Sequence, residues 1–175
     1  MKIRLFIVLF LILYVWLICV MPQYLTTEKI SHYSFSILAG VSAGISDYNE
    51  YQKHMSTGTD RTNYDRQAHL WKWGERVGYI GAGFSIALSS LEYKPDGVST
   101  NWLKVGSDAL LTFALQGFFL NGSYNLSRGD SWFYQSPYQQ QHNTSVTDKY
   151  LSHWSVQVFG LLAVIILNYI IYEVI

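Results

Sequence analysis

The chain has 175 residues, of which 50% are hydrophobic, 17% aromatic and only 14% charged, against roughly 25% charged residues in an ordinary soluble domain. Its length fits one domain, and the shortage of charge points to lipid contact. Twelve basic and twelve acidic residues cancel, which excludes the basic excess of a nucleic-acid-binding domain. The single cysteine, Cys19, excludes an internal disulfide or a CxxC zinc pattern.

Lys2 and Arg4 precede Leu5–Met21, an apolar run with no charge and no glycine. At 1.5 Å per residue it spans about 25 Å, close to a hydrocarbon core of roughly 30 Å. The small residues that a signal-peptide cleavage site needs are missing before Pro22, so the run reads as a retained anchor. Ile30–Ser46 is the second candidate span. Ser36, Gly40 and Gly44 lie four apart in it, a small-residue stripe of the kind that lets a neighbouring backbone approach closely in lipid.

The third span, Val77–Leu91, carries two such stripes: Gly74, Gly78 and Ala82, and Gly81, Ser85 and Ser89. Spans two and three should therefore form a close-packed antiparallel hairpin. Glu92–Lys104, with Pro95 and Asp96-Gly97, reads as a loop with turn residues. A fourth span, 105–120, contains Asp108, and a fifth, 154–172, has Trp154 at one end and Tyr169 and Tyr172 at the other. The expected fold is an all-α integral membrane bundle of about five helices in one domain, with polar stretches at 47–76 and 121–153.

Basic residues set the orientation. Five spans put Lys2, Arg4, Lys53, Arg61, Arg66, Lys72, Arg76, Arg128 and Lys149 on one side, and Lys29, Lys94 and Lys104 on the other. The positive-inside rule then places the N-terminus and both polar stretches in the cytoplasm, with the chain in the inner (plasma) membrane. Three Asn-x-Ser sequons begin at Asn121, Asn125 and Asn143. Their use would reverse that orientation, and in a Ser/Thr-rich chain they read as coincidence.

Chemistry has few places to reside. Glu50 and His54, and Asp65 and His69, are spaced four apart on either side of Ser56-Thr57-Gly58-Thr59. On helices each pair shares a face, and Glu50, His54 and His69 would then be candidate metal ligands, with solvated helix pairs as the alternative. No cofactor is otherwise indicated. If the two polar stretches converge, Asn125, Arg128, Asp130, His142, Asp148 and His153 would meet Asp47, Asp65, His69 and Arg76. That would suit an anionic head group or an interfacial lipid enzyme using Asp65, His69, Arg128 and Asp148. Asp108 reads either as an interfacial carboxylate near a helix start or as an ion- or proton-handling group of a small channel or transporter.

The run Asn125-Leu-Ser-Arg128-Gly129-Asp-Ser-Trp-Phe133-Tyr134, followed by Thr144 and Thr147-Asp148-Lys149, resembles a pattern of uncharacterised multi-pass membrane proteins of bacteria and their phages. The resemblance covers about 25 residues and implies an ordered 121–153 loop, with no activity attached. No GxSxG, HExxH, P-loop or GxGxxG is present. The leading expectation is a non-enzymatic accessory or interaction subunit, embedded in the bilayer and presenting its polar stretches to a membrane or cytoplasmic protein partner.

Overall fold

The structure, a computed structural model, describes residues 26–134 and 153–173. Four helices and one β-hairpin make it up: α1 (Thr27–Met55), α2 (Gly58–Ser89), β1 (Leu91–Lys94), β2 (Gly97–Thr100), α3 (Trp102–Ser127) and α4 (Trp154–Glu173). The protein is thus an all-α fold with a two-stranded appendage. The expected span Leu5–Met21 lies outside the described residues.

The stretch 47–76 is helical on both sides of a turn at Ser56–Thr57, where Gly58 adopts φ +61°. Helices α1 and α2 are therefore 29 and 32 residues long, about 43 and 48 Å, far longer than spans of 30–46 and 77–91 alone would give. Thr26 caps α1 by accepting from Lys29 N, and Asn101 caps α3 by accepting from Leu103 N at 3.0 Å and Lys104 N at 3.2 Å. Between α2 and α3 the expected loop is in fact a β-hairpin. Its register pairs Leu91 with Thr100 and Lys94 with Gly97, leaving Pro95-Asp96 as the turn. Glu92 fastens this hairpin to α3, accepting from Asn101 Nδ2 at 2.6 Å and Lys104 Nζ at 3.3 Å. The Asn101 amide and the Lys104 ammonium hold its carboxyl below the usual range.

The most extensive helix contact is α1 with α2, followed by α1 with α3 and α3 with α4. The hairpin expected from the small-residue stripes is present, but with a different division of faces. Gly74, Gly78 and Gly81 of α2 receive Ser42, Ala39 and the Phe35 ring of α1. Ser46 Oγ adds a bond to Ala68 O at 3.2 Å. The Ser36–Gly40–Gly44 stripe faces α3 instead: Ser36 Oγ reaches Thr112 Oγ1 at 3.3 Å, Gly40 faces Gln116 and Phe119, and Gly44 faces Leu120 and Ser123. Helix α1 is thus the central element, small on two sides, so that two neighbouring backbones approach it. Parallel α3 shares its apolar line, Leu111, Leu115 and Phe119, with Tyr33, Ile37 and Val41 of α1 and Leu161, Val164 and Ile165 of α4.

Among the described residues, only α3 and α4 are long and apolar enough to cross a membrane by length and composition. After α3 the chain turns at Gly129 (φ +81°), and Trp132 folds back over Gly122 against Phe118 and Phe119. Asn125 Nδ2 fixes this turn by donating to Trp132 O at 2.9 Å and Tyr134 O at 3.0 Å.

A side chain at Gly78 should force the hairpin apart, because its Cβ would stand 2.6 Å from Ala39 N. Gly78→Val is expected to cost about 1–3 kcal/mol by overpacking. Gly83→Ala, which points into open space, should be neutral or stabilising by up to about 1 kcal/mol. Thermal unfolding of the two variants in detergent checks this, and equal melting temperatures would contradict the close approach.

Candidate functional site

The helices alternate in direction, so the start of α1, the end of α2, the start of α3 and the end of α4 meet at the β-hairpin end. Each contributes polar atoms to one buried cluster. Lys29, the third residue of α1, is 1% exposed, and Asp108, in the second turn of α3, is fully buried. They form an ion pair, and Asn168 of α4, also fully buried, lies between them. Its Oδ1 accepts from Lys29 Nζ at 3.0 Å, while its Nδ2 donates to Asp108 Oδ1 at 2.7 Å and Ser107 Oγ at 2.9 Å.

The second carboxylate oxygen is equally engaged. Asp108 Oδ2 accepts from Tyr172 OH at 2.6 Å and from Ser89 Oγ, at the end of α2, at 2.9 Å. Lys29 Nζ also sits 3.3 Å from the centre of the Tyr172 ring, a cation–π contact. One turn further in, Thr112 Oγ1 donates to Asp108 O at 3.0 Å and pairs with His32 Nε2 at 2.6 Å, and the fully buried His32 Nδ1 has no protein partner.

A carboxylate offers about four lone-pair sites, and here four donors occupy them. Asp108 has nothing left to offer an ion. Buried charges are tolerated when paired and fully hydrogen-bonded, and both conditions hold. Asp108 is therefore an internal tie between four helices. The N-cap of α3 is Asn101, and Asp108, in the second turn, faces the interior.

The residues expected to carry chemistry stand at the opposite end. Asp65 and His69 are neighbours, with His69 Nε2 3.6 Å from Asp65 Oδ1. Lys53 reaches Asp65 Oδ1 at 2.7 Å and Glu50 Oε2 at 3.5 Å. An ammonium thus sits where the candidate metal would have joined Glu50 to the α2 side chains. The Lys53 ammonium draws the Asp65 carboxyl below its ordinary range. His54 is exposed on the last turn of α1. Among the described residues, no three His, Cys, Asp or Glu side chains gather closely enough to hold a metal.

Arg128 pairs with Asp130 at 3.3 Å on the turn after α3, Asn125 bonds that same turn, and His153 Nδ1 pairs with Ser155 Oγ at 2.7 Å. These side chains engage their own segment and not Asp65 or His69. Asp148 and His142 lie outside the described residues. The Asn125 amide nitrogen, the atom a glycan would occupy, is already committed to two carbonyls.

No family model, curated protein or solved structure matches this chain.

Asp108→Asn keeps the side chain's shape but leaves the Lys29 ammonium buried without a counter-charge. The variant is expected to lose about 3–5 kcal/mol of stability. Unfolding monitored by tryptophan fluorescence in detergent measures it, and a loss under about 1 kcal/mol would mean that the pair is not buried as described.

Proposed function

We propose that this chain is a multi-pass membrane protein of the inner membrane with its N-terminus in the cytoplasm. In this reading it is a non-enzymatic accessory or interaction subunit whose α1–α2 hairpin is the partner-facing element. The observation that carries the proposal is the continuation of α1 and α2 past the end of α3. The parallel contacts of α1 with α3, Ser36 with Thr112 and Gly44 with Ser123, put Ser127 level with about Tyr48. The last two turns of α1 and the first turns of α2 therefore project by about 10 Å.

This prong is polar and exposed: Gly58 to Asn63 are all exposed, as are Arg66 and His69. Lys53 stiffens it by bridging the two helices through Glu50 and Asp65. A charged projection on a body whose buried Lys29–Asp108 pair is hydrogen-bonded within the chain suits presentation to a protein. The saturated Asp108 carboxylate supports this reading over ion handling. Support for the membrane comes from α3 and α4, which have the length and apolarity to cross, and from their outward-facing Phe113, Phe159, Ile166 and Leu167.

Alkaline carbonate extraction should leave the protein in the membrane pellet. With Cys19→Ser as background, an impermeant maleimide should label Thr59→Cys only from the cytoplasmic face and Val98→Cys only from the opposite face. Labelling of both from one side would overturn the topology. Arg61→Glu, an exposed change on the prong, should abolish retention of the co-purifying partner. It should leave the melting temperature within about 2 °C, as substitutions of this kind stay near ±0.5 kcal/mol. If wild type and variant retain the same proteins, the accessory role fails.

A further inference from the structure

Helix α2 turns an apolar lane away from the bundle. Leu70, Trp73, Val77, Ile80, Phe84 and Leu88 recur every three or four residues, and they are 63, 64, 49, 74, 65 and 46% exposed. From Leu70 to Leu88 the lane runs about 27 Å, close to the thickness of a hydrocarbon core. Its prong end is basic. Arg66 stands one turn beyond Leu70 on the same line, His69 and Arg76 flank it, and the Arg76 guanidinium lies 5.4 Å from the Trp73 ring.

Among the described residues neither Arg66 nor Arg76 has an ion-pair partner, whereas Lys53, Lys72, Lys104 and Arg128 are all paired. Arg66, Gln67, His69, Leu70 and Trp73 also line an open concavity of about 490 Å³. Arg66, beyond the end of the lane, and Arg76, beside the Trp73 ring within it, combine fork-shaped phosphate donors with an interfacial anchor.

We infer that this end of α2 is a binding site for an anionic phospholipid, with the phosphate held by Arg66 and Arg76 and an acyl chain laid along Val77, Ile80 and Phe84. The inference rests on the membrane reading above and adds a ligand to it. Charge complementarity selects this occupant. One other candidate within the chain is the apolar run Leu5–Met21, which precedes α1 in sequence. Laid along the lane it would bring Lys2 and Arg4 to Arg66 and Arg76, cation against cation. A second copy meeting the lane symmetrically would likewise oppose like charges wherever the two basic ends coincide. A phosphodiester head group meets the arginines with the opposite sign.

The test is native mass spectrometry of the full chain in mild detergent, titrated with phosphatidylglycerol and, separately, phosphatidylcholine. Wild type should retain phosphatidylglycerol about tenfold better, with the preference shrinking as salt rises. Arg66→Gln/Arg76→Gln should bring the ratio close to one, while Lys94→Gln, at the opposite end of the molecule, should leave it unchanged. Equal retention of the two lipids by wild type overturns the inference. So does displacement of lipid by millimolar inorganic phosphate that itself stays bound, which would mark a site for soluble phosphate.

Phe84→Cys separates the remaining occupants. An intramolecular disulfide with native Cys19 would show the lane covered by the N-terminal run, a disulfide-linked dimer would show it covered by a second copy, and either overturns the lipid site. A protein that is integral after carbonate extraction but shows no lipid preference defeats this inference alone. A protein released by carbonate defeats the membrane reading beneath it.

Discussion

Lys29 and Asp108 are separated by 79 positions in sequence, yet each is almost completely removed from water. Two ions in that position repel the rest of the interior unless every donor and acceptor is answered, and answering them requires all four described helices at once. Helix α1 brings the ammonium, α3 the carboxylate, α4 the Asn168 amide and the Tyr172 hydroxyl, and α2 the Ser89 hydroxyl. A slip of any helix by one residue would turn its contribution by about 100° and strand a charge. The pair therefore constrains register alongside the apolar line Leu111–Leu115–Phe119 and the close glycine contacts of α1 with α2 and α3.

From that fixed end the rest of the architecture follows. The small residues of α1 let α2 and α3 lie close on two sides, so the three helices leave the cluster nearly in contact. Because α1 and α2 are longer than α3, they overrun it, and their polar ends form the projecting hairpin. The two ends of the molecule thus have different chemistry. At one end Lys29 and Asp108 are buried and paired, and at the other, among the described residues, the exposed Arg66 and Arg76 have no ion-pair partner. The proposed function uses the second end, where Arg61, Arg66 and Arg76 are exposed.

Much of this was legible in the sequence. The stripes through Gly74, Gly78 and Gly81 announced a close helix pair, and the turn at Ser56–Thr57 was marked by its Ser, Thr and Gly residues. The partner of the Gly40–Gly44 stripe was not legible, since a stripe records that a backbone approaches without saying which. The β-hairpin was hidden because Glu92–Thr100 is short and its pairing depends on anchoring by Asn101 and Lys104. The largest omission was the buried pair. Asp108 stood out as a charge within an apolar run, but Lys29 sat beside Glu28 before a helix and read as a loop charge. Asn168 carries no signal of its own within the long apolar run 154–172. The signal that would have united them is topological: with alternating helix directions, Lys29, Ser89, Asp108 and Asn168 all fall at one depth on one side. Asp65 and His69 were correctly read as a shared face, but their charge partner, Lys53, lies across the hairpin and could be assigned only once the register was known.

The most direct test of the account is a double-mutant cycle on Lys29 and Asp108, using Lys29→Met, Asp108→Leu and the pair together, with reversible unfolding followed in detergent. Each single variant leaves one buried charge unanswered, whereas the double variant removes both. The account predicts that the double variant recovers most of the stability lost by either single one, giving a coupling of about 3 kcal/mol or more. Additive losses, with coupling under about 0.5 kcal/mol, would show that the two residues do not meet and would remove the tie on which the four-helix arrangement depends.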